Sequence, residues 1–289
     1  MADRFSQAGL DSPRLCAELL LAHVLGCDRL HLYTQADRPA SPLERQTLRD
    51  LVTRALAHEP VQYLVGEAWF FSMPFAVDRR VLIPRPSTET IVEQVLQDAR
   101  ARHGRGGGIG LALADICTGS GCIAVALLKH LPAARAVATD ISAPALEVAR
   151  ANAQRHGVLE RLDLIEGDLL APLAAHPTGR GLHYLVSNPP YIPDDEWEST
   201  DPARAVGRNV KGFEPESALR GGPDGLRFVR PLIEDGPSGV LPGGLMLIEV
   251  AASRAEAALA LARENAMLGE ARMVDDSEGL PRVLVARRV

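Results

Sequence analysis

Ser187-Asn188-Pro189-Pro190-Tyr191-Ile192 is the stretch of this chain best equipped to hold a reacting group. It follows the apolar run Leu182 to Val186, which reads as a buried strand. The turn therefore opens at the carboxyl edge of a sheet, where open α/β folds place their ligands. Two consecutive prolines fix φ and remove two donors, so nearby carbonyls need partners from elsewhere. The Asn188 side-chain oxygen and a carbonyl at or beside Pro189 can both accept from an amino group, and Tyr191 offers a flat face. Asn-Pro and Pro-Pro are also ordinary turn punctuation, so an inert turn fits the same letters.

Asp115-Ile116-Cys117-Thr118-Gly119-Ser120-Gly121-Cys122 has the parts of a nucleotide-cofactor loop: a strand, glycines that permit close backbone approach, then a helix amino terminus. The full dinucleotide fingerprint is absent, because Cys117 stands at the first expected glycine. The next strand ends in Asp140, which suits the hydroxyls of a ribose. At Asp168-Leu169 the acid can accept from an adenine amine while the leucine covers a ring face. A hydride-transferring dehydrogenase can use these elements. One mononucleotide-like half followed by Asp-Leu and Asn-Pro-Pro-Tyr fits S-adenosylmethionine better, since that cofactor has an adenosine but no pyrophosphate. Asp115 also fits a simple loop cap.

On this reading, an amide or amino nitrogen donates its hydrogens to the Asn188 oxygen and the Pro189 carbonyl and is held facing a sulfonium methyl. Two fixed acceptors stabilise the positive charge that grows on nitrogen, and no strong general base is needed. Asp194, Asp195 and Glu196 receive no proton-transfer role.

The elements that must position these residues follow from periodicity. Leu15, Leu19, Leu20, His23, Val24 and Leu30 recur at helical spacing over residues 8 to 33, and Ser41-Pro42 opens a second helical region through Ala57. From Tyr63 to Ile83 the pattern is strand-like, broken by Pro74 and by Asp78-Arg79-Arg80 into a hairpin whose aromatics pack at a domain junction. A helix begins near Thr88, with Arg85 and Glu89 at the rim of a cleft. A glycine-rich linker, Gly104 to Gly110, precedes strands at Leu111 to Ile116, Ala136 to Thr139 and Leu162 to Ile165, with helices between them. A turn at Leu241 to Gly244, a strand to Val250, a helix from Arg254 to Met267 and two closing strands complete the chain. Alternation at this spacing implies a mostly parallel sheet covered on both faces.

The 289 residues suffice for a domain of about 200 residues with a smaller companion. Hydrophobic residues make up 46% and the mean hydropathy is +0.00, ordinary for a globular chain. The formal charge of -6 does not advertise a nucleic-acid surface, and no stable nucleic-acid binding is expected. Lysine occurs only at Lys129 and Lys211; the remaining basic charge is arginine. Four cysteines without paired C-x-x-C spacing predict reduced thiols and no metal. No run approaches 18 apolar residues, so a cytoplasmic protein without membrane association is expected.

With these residues in view, the sequence resembles the release-factor glutamine methyltransferases, the PrmC/HemK family. The resemblance is carried by ELLLAHVLG (Glu18 to Gly26), PVQYLVGEAWFFS (Pro60 to Ser72), VLIPRPSTE (Val81 to Glu89), DICTGSGCIAVAL (Asp115 to Leu127), ATDIS (Ala138 to Ser142), ARANAQRHG (Ala149 to Gly157), SNPPYIP (Ser187 to Pro193), FEPESALRGGPDGL (Phe213 to Leu226) and LPGGLMLIEV (Leu241 to Val250). It implies a seven-stranded class I methyltransferase (Rossmann-like) sheet with a small amino-terminal helical domain joined by a β-hairpin. The expected boundaries are a helical substrate-docking domain over 1–72, a linker over 73–85 and the methyltransferase domain over 86–289.

The implied activity is transfer of a methyl group from S-adenosylmethionine to the side-chain amide of the Gly-Gly-Gln glutamine of class 1 peptide-chain release factors. The implied cofactor residues are Asp115, Cys117, Thr118, Gly119, Ser120, Gly121, Asp140, Ile141, Asp168, Leu169 and Asn188. Asn188, Pro189, Pro190 and Tyr191 would hold the glutamine, with Arg85, Pro86 and Glu214 as wall residues. A monomer is expected. Cys117, where typical members carry glycine, is similar to the paralogues that methylate ribosomal protein uL3, which stands as the alternative substrate. An amino-directed DNA or RNA methyltransferase is a second alternative, because such enzymes share the Asn-Pro-Pro-Tyr turn.

Overall fold

The computed structural model describes residues 1–34, 37–104, 110–201 and 204–289. Residues 105–109 of the expected glycine linker lie outside the described residues. Seven strands form the main sheet: β3 (Ala112–Ile116), β4 (Arg135–Asp140), β5 (Leu162–Glu166), β6 (Leu182–Ser187), β7 (Val240–Glu249), β8 (Leu268–Asp275) and β9 (Pro281–Arg288). Their spatial order is β5-β4-β3-β6-β7-β9-β8, and only β9 runs against the others. This is the α/β architecture that the alternating pattern implied. The order reverses beside β3, the crevice where such sheets bind ligands.

Strand and helix chemistry agree with that layout. The run Leu182-His183-Tyr184-Leu185-Val186 is buried along nearly its whole length because helices cover both faces of β6. On one face lie α6 (Glu89–His103), α7 (Cys122–His130) and α8 (Ala143–Arg155). In α7 every residue from Cys122 to Leu128 is buried, as a helix apolar on all sides must be. The other face is covered by α11 (Val229–Asp235) and α12 (Ala255–Glu264). Two short helices, α9 (Asp194–Trp197) and α10 (Arg208–Phe213), stand at the carboxyl edge. The turn expected at Leu241 to Gly244 is absorbed into β7, where a register shift between Leu182 and Tyr184 accommodates the extra residues.

The amino-terminal unit comprises α1 (Ala2–Gln7), α2 (Pro13–Leu25), α3 (His31–Thr34), α4 (Pro42–Leu56) and α5 (Val61–Val65) around Phe5, Leu20, Ala55 and Val61. Gly26 adopts φ 63° and ends α2 at Leu25, so Leu30, expected to continue the helical run, lies beyond that helix and stands 72% exposed. Ser41 and Glu44 form a reciprocal capping box at the start of α4. Tyr63, expected in a strand, lies in α5.

The hairpin is formed by β1 (Glu67–Phe70) and β2 (Met73–Ala76), so it lies across the expected boundary at 72/73. Pro74 does not break it: in a two-stranded ribbon it pairs with Trp69, at an edge where no donor is needed. Phe71 and Ser72 both adopt left-handed conformations, φ 49° and 59°, as a two-residue hairpin turn requires. Glu89 steadies that turn by accepting from Phe71 N at 2.7 Å, and so does not form the rim of a cleft. Phe70 and Phe75 are buried, but Trp69 is 63% exposed, contrary to its expected packing role.

One buried side chain fastens this hairpin to the sheet domain. Asn152 of α8 accepts from Ala76 N at 2.7 Å and donates to Ala76 O at 3.0 Å and to Ser120 O at 2.9 Å. Replacing it leaves the buried Ser120 carbonyl and the half-buried Ala76 N–H and carbonyl without this partner, a buried unpaired group costing about 1–3 kcal/mol. Asn152→Ala is expected to lower the urea midpoint of unfolding by at least the equivalent of about 2 kcal/mol; a midpoint equal to wild type would refute the clamp.

Candidate functional site

The carboxyl ends of β3, β4, β5 and β6 open into one cavity of about 890 Å³, within the size range of small-molecule sites. Cys117, Thr118, Gly119 and Ser120 line one wall. The loop turns through Cys117 at φ 60° and Gly119 at φ 55° before Gly121, at φ 78°, caps α7. A Cβ on Gly119 would meet no atom within 4 Å, so the space in front of the backbone is open to a ligand. Gly121 is needed for a different reason. A Cβ there would come within 3.1 Å of Ala149 Cβ and push α7 from α8. Cys117 tolerates its left-handed backbone with its side chain packed against the cluster beneath the sheet. Burial, and then the Asp140 and Asp115 carboxylates, push its thiol pKa up and keep it protonated.

Asp115, expected to bind cofactor, does not line the cavity. Its Oδ2 accepts from Thr118 Oγ1 at 2.7 Å and from Ala124 N at 3.1 Å, so it caps the loop from below. Asp140 does face the cavity. Its Oδ2 accepts from Gly119 N at 2.8 Å and its Oδ1 from Ser142 N at 2.9 Å, leaving a lone pair on each oxygen for a diol. Ile141, 65% exposed, Asp168 and Leu169 complete the far wall. Leu169 is held at φ 47°, a strained conformation for a leucine, and its carbonyl accepts from Thr139 Oγ1 at 3.0 Å.

Asn188 stands where this cavity meets a smaller one of about 360 Å³; Leu82 and Ala218 line both as well. Its Nδ2 donates to Thr88 Oγ1 at 3.1 Å, and no donor among the described residues reaches its Oδ1. Pro190 lines the larger cavity and Tyr191 the smaller, while Pro189 is buried and lines neither. Of the expected wall residues, Arg85 lines the smaller cavity. Glu214 lies behind it, ion-paired to Arg85 and accepting from Ile83 N at 3.0 Å. Pro86 is exposed and lines neither cavity.

The turn is held from outside by residues 219 to 225. Ile192 N donates to Leu219 O and Gly221 N to Ile192 O, both at 2.8 Å. A Cβ on Gly221 would fall 2.7 Å from Tyr191 Cα, which accounts for the glycine there. Thr88, Ala218 and Phe228 line the larger cavity and were not singled out as site residues. The stretch around Gly221 and Gly222 did signal the region, but which of its side chains face the cavity is decided by the strand-like pairing with Ile192. Glu249, buried at the end of β7, likewise carried no local signal: its run Leu245 to Val250 reads as any core strand.

Residues 1–66 match the PrmC N-terminal domain, and residues 91–203 match the methyltransferase small domain. Over 251 residues, covering 87% of this chain and 83% of the relative, it is 42% identical to a release factor glutamine methyltransferase of Chlorobaculum tepidum. The chain belongs to the release factor glutamine methyltransferase family. A second family member, from Geobacter sulfurreducens, is 39% identical over 282 residues, 98% of this chain and 92% of the relative. A solved methyltransferase of Pyrococcus furiosus covers 82% of this chain and 98% of its own length with a TM-score of 0.51. At 15% identity that likeness shows the methyltransferase fold alone. Among the described residues no helix is long and apolar enough to cross a membrane.

The loop carries a measurable electrostatic signature. Burial raises the pKa of Asp115 from 3.8 to about 7, although Thr118 and Ala124 donate to it. The folded protein therefore keeps a proton that the unfolded chain releases. Stability from this group is greatest below about pH 4, falls as pH rises towards about 7 by at most about 1.4 kcal/mol per unit, and levels off above. In urea unfolding across that window, wild type should lose stability relative to Asp115→Asn. Parallel pH profiles would contradict the assignment.

Proposed function

We propose that this chain transfers a methyl group from S-adenosylmethionine to the side-chain amide nitrogen (N5) of the glutamine in the Gly-Gly-Gln motif of class 1 peptide-chain release factors. One observation carries the reading: Asn188, at the meeting of two cavities, has its Nδ2 engaged by Thr88 and its Oδ1 without a protein donor among the described residues. The name shared by relatives 42% and 39% identical favours a release factor over ribosomal protein uL3 as substrate.

The larger cavity fits the cofactor on its chemistry. Gly119 leaves open space before its backbone, Asp140 keeps free lone pairs for ribose hydroxyls, and Ile141, Leu169 and Phe228 offer apolar surface to a base. Thr118, Ser120 and Asp168 add polar contacts. Bound there, S-adenosylmethionine supplies an electrophilic methyl on a sulfonium. The protein's own part is to hold the substrate nitrogen. Asn188 Oδ1, which faces the meeting of the two cavities, accepts an amide hydrogen, fixes the nitrogen and favours the positive charge that develops on it; Pro189, expected to share this task, is buried away from both cavities and shapes the turn instead. An amide nitrogen has its lone pair delocalised, so such acceptors matter more than a general base. Tyr191 and Arg85 border the smaller cavity through which the glutamine side chain enters.

In this reading residues 1–72 dock the release factor, the segment 73–85 links them to the methyltransferase domain over 86–289, and the enzyme works as a monomer in the cytoplasm. The release factor is the partner; the -6 charge gives no ground for stable nucleic-acid binding.

Co-incubation with a release factor and the cofactor, followed by tryptic mass analysis, should show one methyl on the tip glutamine and none when that glutamine is replaced. Asn188→Ala is expected to reduce kcat by about 10²- to 10³-fold, the scale for loss of one preorganised transition-state contact. Methylation of uL3 alone, or of DNA and not protein, would overturn the proposal.

A further inference from the structure

Most side-chain donors around the smaller cavity are committed to protein partners. Tyr191 donates its hydroxyl to the buried Glu249 Oε1 at 2.9 Å, and Ser253 donates to Glu196 Oε1 at 2.5 Å. Asn188 engages Thr88, and Arg85 turns an outer guanidinium nitrogen, Nη2, to the buried Glu214 carboxylate. Arg282 is held differently. Its inner nitrogen, Nε, donates to Asp276 Oδ2 at 3.2 Å, and neither Nη1 nor Nη2 has a protein partner among the described residues.

The fold fixes where these two nitrogens stand. Arg282 O accepts from Val250 N at 2.9 Å, one step beyond the Glu249–Val283 pair, so the start of β9 is locked to the end of β7. Asp276 is anchored in turn: its Oδ1 accepts from Glu278 N at 2.9 Å and Leu280 N at 3.0 Å, closing the turn between β8 and β9. Its side chain is 2% exposed, so it grips Nε where water competes little. An arginine held by Nε presents its outer nitrogens as a planar pair of donors. The Arg282 charge is already balanced by Asp276, and Glu196 on the same cavity wall would oppose an anion. The acceptor that suits the pair is therefore neutral. Ala218, Ala251 and Ala252 line the cavity beside it with nothing longer than a methyl, which leaves room for main chain.

We propose that Arg282 binds the substrate's main chain, donating from its outer nitrogens to a carbonyl of the glycine pair that precedes the target glutamine. The inference rests on the function proposed above. Glycine has no Cβ, so its carbonyl can approach a cavity wall where the side chain of another residue would intervene. Held by a carbonyl at Arg282 and by its side-chain amide at Asn188, the tip is fixed at two points, which keeps the nitrogen on its line of attack.

The experiment measures kcat and KM on a release factor for wild type, Arg282→Met, Arg282→Lys and the double variant Arg282→Met/Asp276→Asn. Methionine removes both donors, so kcat/KM should fall about 10- to 100-fold, the scale for losing a hydrogen bond to a charged group. Lysine, which donates as a point charge without the planar pair, should recover part of the loss. The double variant leaves no carboxylate unpaired and keeps an oxygen to close the turn, and its kcat/KM should be as low as that of Arg282→Met. Calorimetric affinity for S-adenosylmethionine should be unchanged throughout, because Arg282 does not line the larger cavity. A second arm uses release factors in which an ester replaces the amide on the carboxyl side of the first or of the second glycine, which weakens that carbonyl as an acceptor. One of the two esters should slow wild type and cost Arg282→Met nothing further, since both changes break one contact. A purely structural arginine would instead lower the thermal midpoint and leave kcat/KM of the folded enzyme intact. Wild-type kcat/KM in the double variant, weakened cofactor binding, or ester effects equal in wild type and Arg282→Met would overturn the inference while leaving the function standing. A wild-type protein that does not methylate the release factor would overturn both.

Discussion

Parallel pairing of β3, β6 and β7 is the constraint from which the site follows. Ile116 pairs with Ser187 and Ser187 with Ile248, so the next residues of all three strands, Cys117, Asn188 and Glu249, stand at one level at the carboxyl edge of the sheet. A slip by one residue in any strand would turn its side chains to the opposite face and bury what now faces the cavity. The apolar faces of β6 and β7, covered by helices on both sides, are what forbid that slip. The register that fills the core is thus the register that assembles the chemistry.

Around that level, carboxyl groups organise the site from behind as well as from its surface. Asp140 gathers two backbone donors and faces the larger cavity, Asp115 caps the glycine loop from beneath, and Glu249 collects hydroxyls at the back of the Asn188 turn. Each is held in a place where burial opposes its charge. The family's activity makes sense of this expense: a nucleophile as weak as an amide nitrogen is helped chiefly by fixed, correctly oriented acceptors, and fixed acceptors need rigid support.

Much of this was legible in the letters. The alternation of apolar runs and amphipathic stretches dictated the doubly covered sheet, and Asp115 to Gly121, Asp140 and Asn188 to Tyr191 stood out because strand ends followed by glycine or proline are informative. The failures have physical causes. Pro74 read as a breaker because sequence cannot tell an edge ribbon from a central strand. Tyr63 read as a strand residue because five residues are too few for helical periodicity to show. Glu89 read as a rim residue, yet it secures a turn 18 positions earlier in the chain, a contact that only the fold brings about. Asn152 and Glu249 gave no local sign, since a polar residue inside an apolar element declares itself only when its distant partners are known.

The Asn152 clamp has a mechanical consequence. One side chain grips both the last residue of the hairpin and the carbonyl of Ser120, so the lever from which the amino-terminal helices hang and the loop bordering the larger cavity are tied at a single point. Tilting the helices about the hairpin must either carry that loop along or tear the tie. A single amide thus makes the hairpin and the glycine loop mechanical neighbours although 44 positions of sequence separate Ala76 from Ser120.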